Sequence, residues 1–137
     1  MLSVLFTSIS SANASSTSKR CAVVKEDIAR ESKIVDSLAK QVNKAVRTMQ
    51  VSYSPADIKV YLNLSFTYAD RAQFAFIRAG ERDTVGCFSV SKQAYIRTQI
   101  ASWGQLASSL EYADPYNIDP GFSREIVAPN IYKRIYG

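Results

Sequence analysis

Apolar residues recur at helical spacing over residues 22–50. Their steps of three and four place them on one face of a helix, and no Gly or Pro interrupts the segment. Glu26 and Asp27 lie in the expected first turn, where negative charge suits the helix dipole. The apolar stripe consists of Val24, Ile28, Ile34, Val35, Leu38, Val42, Ala45, Val46 and Met49. We therefore expect a long amphipathic helix over residues 22–50.

A second helix is predicted to begin after Ser54 and to end at Gly80. Ser54 is a suitable N-cap and Pro55 suits the first helical position, whereas glycine is typical of a C-terminal cap. The apolar face covers much of the helix circumference, as expected for the most enclosed element of a bundle. Its members are Ile58, Tyr61, Leu62, Phe66, Tyr68, Ala69, Ala72, Phe74, Phe76 and Ile77.

A third helix is expected to start at a cap on Asp83 or Thr84 and to run to about Tyr112. Asp114-Pro115 ends it, because the residue before proline avoids the helical conformation. Its apolar stripe consists of Ile96, Ile100, Trp103, Ala107 and Leu110.

The C-terminal segment, residues 114–137, is too apolar for a free tail. It contains two Asp-Pro turn signals, and Ser123 is a candidate cap for a short fourth helix. We expect the segment to cover the open side of the bundle; the alternative is an exposed segment that orders on a partner. The predicted fold class is all-α: an up-down-up three-helix bundle with a docked C-terminal segment, forming one domain over residues 19–137.

The first 18 residues are predicted to be a signal peptide or, alternatively, a disordered Ser-rich segment. A short uncharged apolar stretch precedes Ala12-Asn13-Ala14, which has the A-x-A pattern that signal peptidase cleaves. No Lys or Arg precedes that stretch, which departs from the usual signal and keeps the disordered alternative open. Export would place the protein in the periplasm or outside the cell, and the alternative location is the cytoplasm. No apolar run is long enough to predict a transmembrane segment.

The two cysteines, Cys21 and Cys87, are predicted to form a disulfide bond. Cys21 lies just before the first helix, and Cys87 lies in the expected first turn of the third. The first and third helices of an up-down-up bundle begin at the same end, so these residues are expected to be neighbours. A bridge that closes so long a loop adds roughly 4 kcal/mol in the chain-entropy model. Such bridges persist in oxidising compartments, which agrees with export.

The composition offers little equipment for catalysis. The chain has 137 residues and no histidine, so it cannot build a Ser-His-Asp triad or an imidazole metal site. It has no Gly-rich phosphate loop, and two cysteines alone cannot hold a structural zinc ion. We therefore expect a non-catalytic protein without a metal or cofactor.

A basic ridge is predicted on the first helix, nearly opposite its apolar stripe. In the whole chain 17 Lys and Arg residues face 12 Asp and Glu residues, a bias that favours anionic partners. The ridge either binds such a partner or is simply the solvated face of an amphipathic helix. Its members are Arg30, Lys33, Lys40, Lys44 and Arg47.

Four tyrosines near the C-terminus are a second candidate binding surface. Tyr is enriched at the hot spots of protein interfaces, so these side chains would suit a partner if they were exposed together. The alternative is that they dock the C-terminal segment onto the bundle. They are Tyr112, Tyr116, Tyr132 and Tyr136.

Two functions follow from these features. The favoured one is protein–protein binding by an exported helical protein, such as an inhibitor, an immunity protein, or a subunit of an envelope or secretion assembly. The alternative is a cytoplasmic basic helical protein that binds nucleic acid through the basic ridge.

The intact mass of the protein from its native cells tests the export hypothesis. We expect a chain that lacks residues 1–14 and whose Cys21 and Cys87 are alkylated only after reduction, because cleavage and bridge formation both accompany export. A full-length chain with two freely alkylated thiols would contradict export, and nucleic-acid binding would then be tested first.

Overall fold

A computed structural model describes residues 2–137 and the side chains of residues 16–137. This part of the chain folds into α-helices and short 3-10 helices and contains no strand, which confirms the predicted all-α class. The α-helices are α1 (Leu2–Ser52), α2 (Pro55–Ala79), α3 (Val90–Glu111) and α4 (Ile131–Tyr136). The 3-10 helices are Arg82–Thr84, Pro115–Asn117 and Pro120–Phe122.

Helix α1 begins at Leu2, well before the predicted start at residue 22. The physical reason is that neither Gly nor Pro occurs before residue 53 to end or break the helix. The predicted signal peptide or Ser-rich segment, residues 1–18, falls mostly outside the residues whose side chains are described. Its cleavage and its role in export therefore stay predictions.

Helix α2 is the central helix of the bundle. It packs against α1 on one flank and against α3 on the other, whereas α1 and α3 barely touch each other. Short connections make consecutive helices antiparallel, which confirms the up-down-up arrangement. The largest fully buried side chains come from all three helices and from the C-terminal segment: Val24, Ile28, Val35, Val46, Met49, Phe76, Ile96 and Ile131.

The two ends of α2 are capped as predicted, but two members of its predicted apolar face are exposed. The Oγ atom of Ser54 accepts a hydrogen bond from the N–H of Asp57 at 3.2 Å, and Gly80 ends the helix. The apolar side chains of Phe74 and Ile77 are exposed. Helix α2 contacts α1, α3 and the C-terminal segment, and these two side chains lie on its remaining, uncovered side. Helix α2 is still the most enclosed of the three long helices, as predicted, because it packs against both of the others.

Helix α3 starts later than predicted, after Ser89 rather than after Asp83 or Thr84. The Oγ atom of Ser89 accepts a hydrogen bond from the N–H of Lys92 at 3.2 Å and thereby caps the helix. Asp83 and Thr84 instead belong to a 3-10 helix, and Gly86 turns the chain between the two helices with a φ of 89°. A positive φ is easily adopted only by glycine, so this residue prevents one continuous helix.

The C-terminal segment lies on the open side between α1 and α3, as predicted, and runs antiparallel to α1. Its short fourth helix, α4, begins after Asn130 rather than after Ser123. Pro129 cannot donate a backbone hydrogen bond within a helix, and the side chain of Asn130 accepts one from the N–H of Lys133. Ile131 and Ile135 on α4 are buried in the core.

Five polar side chains on one flank of α1 bind the C-terminal segment, and we call them the polar row. Asn43 makes the closest pair of contacts: its Nδ2 donates to the carbonyl of Ile126 at 2.8 Å, and its Oδ1 accepts from the Ile126 N–H at 2.7 Å. Gln50 donates to the carbonyls of Pro120 and Ser123. The members of the polar row are Ser32, Asp36, Asn43, Arg47 and Gln50.

A disulfide bond joins Cys21 to Cys87, as predicted, with their Cα atoms 5.4 Å apart. Cys87 lies in the loop before α3 rather than in its first turn. The bond therefore ties α1 to the loop between α2 and α3, at the end of the bundle opposite the α1–α2 turn.

The guanidinium of Arg78 connects three carboxylates near the disulfide. It lies 3.1 Å from Asp27 on α1, 3.0 Å from Glu81 and 2.8 Å from Asp83. The hydrogen bond from Arg78 holds the pKa of Asp83 below its usual value. Burial raises the pKa of Asp27, but hydrogen bonds from Arg30 and Arg78 outweigh it, so that the net shift is also downward.

These shifts predict an acid-sensitive contribution to stability that depends on Arg78. A carboxyl whose pKa is lower in the folded chain stabilises the fold above its unfolded pKa of about 3.9, and this contribution is lost as the pH falls through the lowered value. We expect Arg78→Met to be less stable than the wild type at neutral pH, and the difference to shrink on acidification towards pH ~2. Urea unfolding at a series of pH values measures both profiles.

Arg82→Met provides the matched control, because Arg82 is exposed and forms no ion pair with any other described residue. Its profile should run parallel to that of the wild type. Parallel profiles for wild type and Arg78→Met would contradict the claim that Arg78 makes stability acid-sensitive through Asp27 and Asp83.

Candidate functional site

The basic ridge is exposed along α1, but two of its five residues are engaged within the chain. Arg30 pairs with Asp27 at 2.6 Å, and Arg47 pairs with Glu125 of the C-terminal segment. The other members are exposed and form no ion pair among residues 16–137; they are Lys33, Lys40 and Lys44. The ridge is therefore reduced to a row of three lysines.

Two of the four candidate tyrosines are docking contacts of the C-terminal segment. The rings of Tyr132 and Tyr136 are half-buried, with centroids 5.0 Å apart. Tyr136 also contacts the ring of Phe88, and the Nζ of Lys25 lies 5.3 Å from its centroid. Burial raises the pKa of the Tyr136 hydroxyl to about 12, so this ring stays neutral at physiological pH.

The other two candidate tyrosines, Tyr112 and Tyr116, are exposed at the opposite end of the bundle. Tyr112 follows the last turn of α3, and Tyr116 lies in the first turn of the C-terminal segment. The structure therefore separates the four residues into two pairs.

Further large apolar side chains are exposed at the same end of the bundle as Tyr112 and Tyr116, and we call this set of residues the aromatic end. Each of its members is more than half exposed, and all lie where α1 meets α2 and α3 ends. The members are Val51, Tyr53, Tyr112, Tyr116 and Phe122. The sequence patterns did not single out Val51, Tyr53 or Phe122; the available signal was that each adjoins a predicted turn.

A groove of about 400 Å³ opens within the aromatic end. Tyr53 and Tyr116 both line it. The rest of its lining comes from the start of α2 and from the two turns of the C-terminal segment: Pro55, Ile58, Pro115, Ile118, Asp119 and Pro120. Three of these residues are prolines, whose rings fix the backbone φ, so the groove has stiff walls.

Two aspartates hold the turns that carry the exposed rings. An Oδ1 atom of Asp114 accepts a hydrogen bond from the N–H of Tyr116 at 3.0 Å, and one of Asp119 accepts from the N–H of Gly121 at 2.9 Å. Such Asx turns fix the backbone next to Tyr116 and Phe122. These turns would therefore lose less conformational entropy on binding a partner than a flexible loop would lose.

Tyr53 adopts an unusual backbone conformation for a bulky residue. Its φ is 51°, and its N–H donates to the carbonyl of Met49 at 2.9 Å to end α1. Glycine is the usual residue at this left-handed position, and another residue there costs about 1 kcal/mol or more. The residue in this strained conformation, Tyr53, lines the groove.

The described residues contain no group of three or more His, Cys, Asp or Glu side chains placed to hold a metal ion. None of the helices, as far as they are described, is both long and apolar enough to cross a membrane. Comparison of the chain with protein-family models, with curated proteins and with solved structures gives no match.

Proposed function

We propose that the protein is a non-catalytic, exported binding protein that recognises another protein through its aromatic end. One observation carries the proposal: five large apolar side chains are exposed together at one end of the bundle. Clustered exposure of this kind is typical of protein interaction sites, whereas single exposed apolar residues are common on any surface.

The chemistry of the aromatic end suits a protein partner. Three of its five members are tyrosines, which provide a large apolar ring, a polar hydroxyl and few rotatable bonds. Complete burial of an aromatic ring contributes about 2 kcal/mol. The stiff turns below the rings limit the entropy that binding would cost, so that more of this energy would appear as affinity.

The disulfide bond supports an oxidising compartment. Bridges between cysteines far apart in sequence persist in the periplasm or outside the cell and are rare in the cytoplasm. The A-x-A pattern at residues 12–14 favours the same location independently.

The alternative, nucleic-acid binding through the basic ridge, has weaker support. Arg30 and Arg47 already pair with carboxylates of the same chain, and three lysines would neutralise only about three phosphates. Single-strand binding usually also requires aromatic side chains beside the cations, and the ridge carries none.

Photo-crosslinking in native cells tests the proposal. With p-benzoylphenylalanine at position 116 or 122, we expect one discrete adduct with another protein, since both side chains would be buried in the interface. The matched control carries the same group at position 127, because Val127 is also an exposed apolar residue but lies midway along the C-terminal segment. Equal crosslinking at all three positions, or none at 116 and 122, would contradict the proposed surface.

A further inference from the structure

We propose that a second surface docks an acidic amphipathic helix of a partner protein. This surface is the groove between α1 and α2 on the side of α1 away from the C-terminal segment, and we call it the back groove. The inference rests on the proposed protein-binding function, but it involves a surface separate from the aromatic end.

The back groove is lined by both helices and has a volume of about 260 Å³. Ala45 is buried and Leu64 is half-buried, and they form an apolar floor. Val60 stands on one wall and is 51% exposed. The remaining lining residues are Gln41, Lys44, Thr48 and Asp57.

The spacing of the lining residues fits a helical occupant. On α1 they include positions 41, 45 and 48, and on α2 positions 57, 60 and 64. Steps that alternate between three and four residues form the seam along which one helix packs against another. The same steps lead on α1 to Leu38 and Ile34, and Ile34 is also partly exposed. The row from residue 34 to residue 48 is about 21 Å long, or two heptads of a docked helix.

The arrangement of the bundle leaves the back groove uncovered. Helix α3 packs on the other flank of α2, and the C-terminal segment binds the opposite flank of α1 through the polar row. The polar contacts of the C-terminal segment therefore leave the back groove open along its length. Within the described part of the chain, no element covers it.

The charges beside the groove select an acidic occupant. Lys44 lines the groove, and Lys40 and Lys33 follow it along α1. These three lysines form no ion pair among residues 16–137, and cations that flank a helix seam set the choice of partner through their charge. Asp57 is the acidic residue of the lining, and its carboxylate accepts a hydrogen bond from Ser52 at 2.5 Å.

The same charges argue against a second copy of this chain as the occupant. In a two-fold dimer the same surface patch lies on both sides of the interface. Each copy would therefore bring its own lysine row to the contact, and like charges that face each other oppose association.

Two labelled peptides test the inference on the full, disulfide-bonded chain. Both have roughly 21 residues with Leu and Ala on the seam; one carries Glu at the flanking positions and the other carries Lys. Fluorescence anisotropy should show that the Glu peptide binds at least about tenfold more tightly, and that its affinity falls as NaCl rises. A Lys peptide that binds as tightly, or two peptides that do not bind, would overturn the proposal.

Surface variants locate the binding site. Val60→Glu should weaken binding of the Glu peptide by about tenfold or more, because it places a negative charge in the apolar groove. Val90→Glu is the matched control, since Val90 is an exposed valine on α3, and it should leave the affinity unchanged. The double variant Lys40→Glu, Lys44→Glu should reverse the preference towards the Lys peptide. Unchanged affinity in Val60→Glu would overturn the assignment.

Two further outcomes separate this proposal from its alternatives. A dimer in sedimentation experiments that Val60→Glu dissociates would show that a second copy fills the groove, and would overturn the acidic partner. Photo-crosslinks from positions 116 and 122 without peptide binding would overturn docking in the back groove and leave the proposed role of the aromatic end intact. Peptide binding without those crosslinks would support the groove and contradict the role of the aromatic end.

Discussion

The two hydrogen bonds between Asn43 and the backbone of Ile126 fix the C-terminal segment to α1. The aromatic end depends on this attachment, because Tyr116 and Phe122 lie on that segment. An extended segment that is partly buried needs hydrogen-bond partners for its backbone N–H and C=O groups. The described part of the chain has no strand that could provide them. An amide side chain supplies one donor and one acceptor, and Asn43 uses both on the same residue. With Gln50 binding the turn before it, the segment can bury Ile131 and Ile135 and hold Tyr116 and Phe122 of the aromatic end.

The two ends of the bundle are closed in different ways. One end has the disulfide bond and the ion pairs of Arg78, which tie α1 and α2 to the loop before α3. The other end has neither; it has prolines, Asx turns and exposed rings, and it includes the left-handed Tyr53. Val23, Val85 and Val90 are exposed at the disulfide end too, so the contrast lies in the exposed rings and in the strained backbone of Tyr53. Such strain tends to cluster at functional sites. This contrast supports the proposal that the aromatic end binds a partner.

Local patterns in the sequence predicted the helices, and the up-down-up topology brought the two cysteines together, but the polar contacts of the C-terminal segment were not predicted. Apolar periodicity and the cap at Ser54 depend on neighbouring residues, so they could be recognised from the sequence. The polar row could not, because Asn43 and Gln50 look like solvated residues until their partners, more than 60 positions away, are placed beside them. The exposure of Phe74 on α2 was missed for the same reason: hydrophobicity does not reveal which flank of a helix has a neighbour.

Hydrogen exchange of the Ile126 amide, followed by NMR, tests most directly whether the polar row holds the C-terminal segment. We expect this amide to be protected in the wild type. In Asn43→Ala it should lose its protection while the amides of α2 keep theirs, because the segment would open without unfolding the helices. Asn63→Ala, on the exposed face of α2, should leave the Ile126 amide protected. An Ile126 amide that exchanges in the wild type as fast as in an unfolded chain would contradict the account.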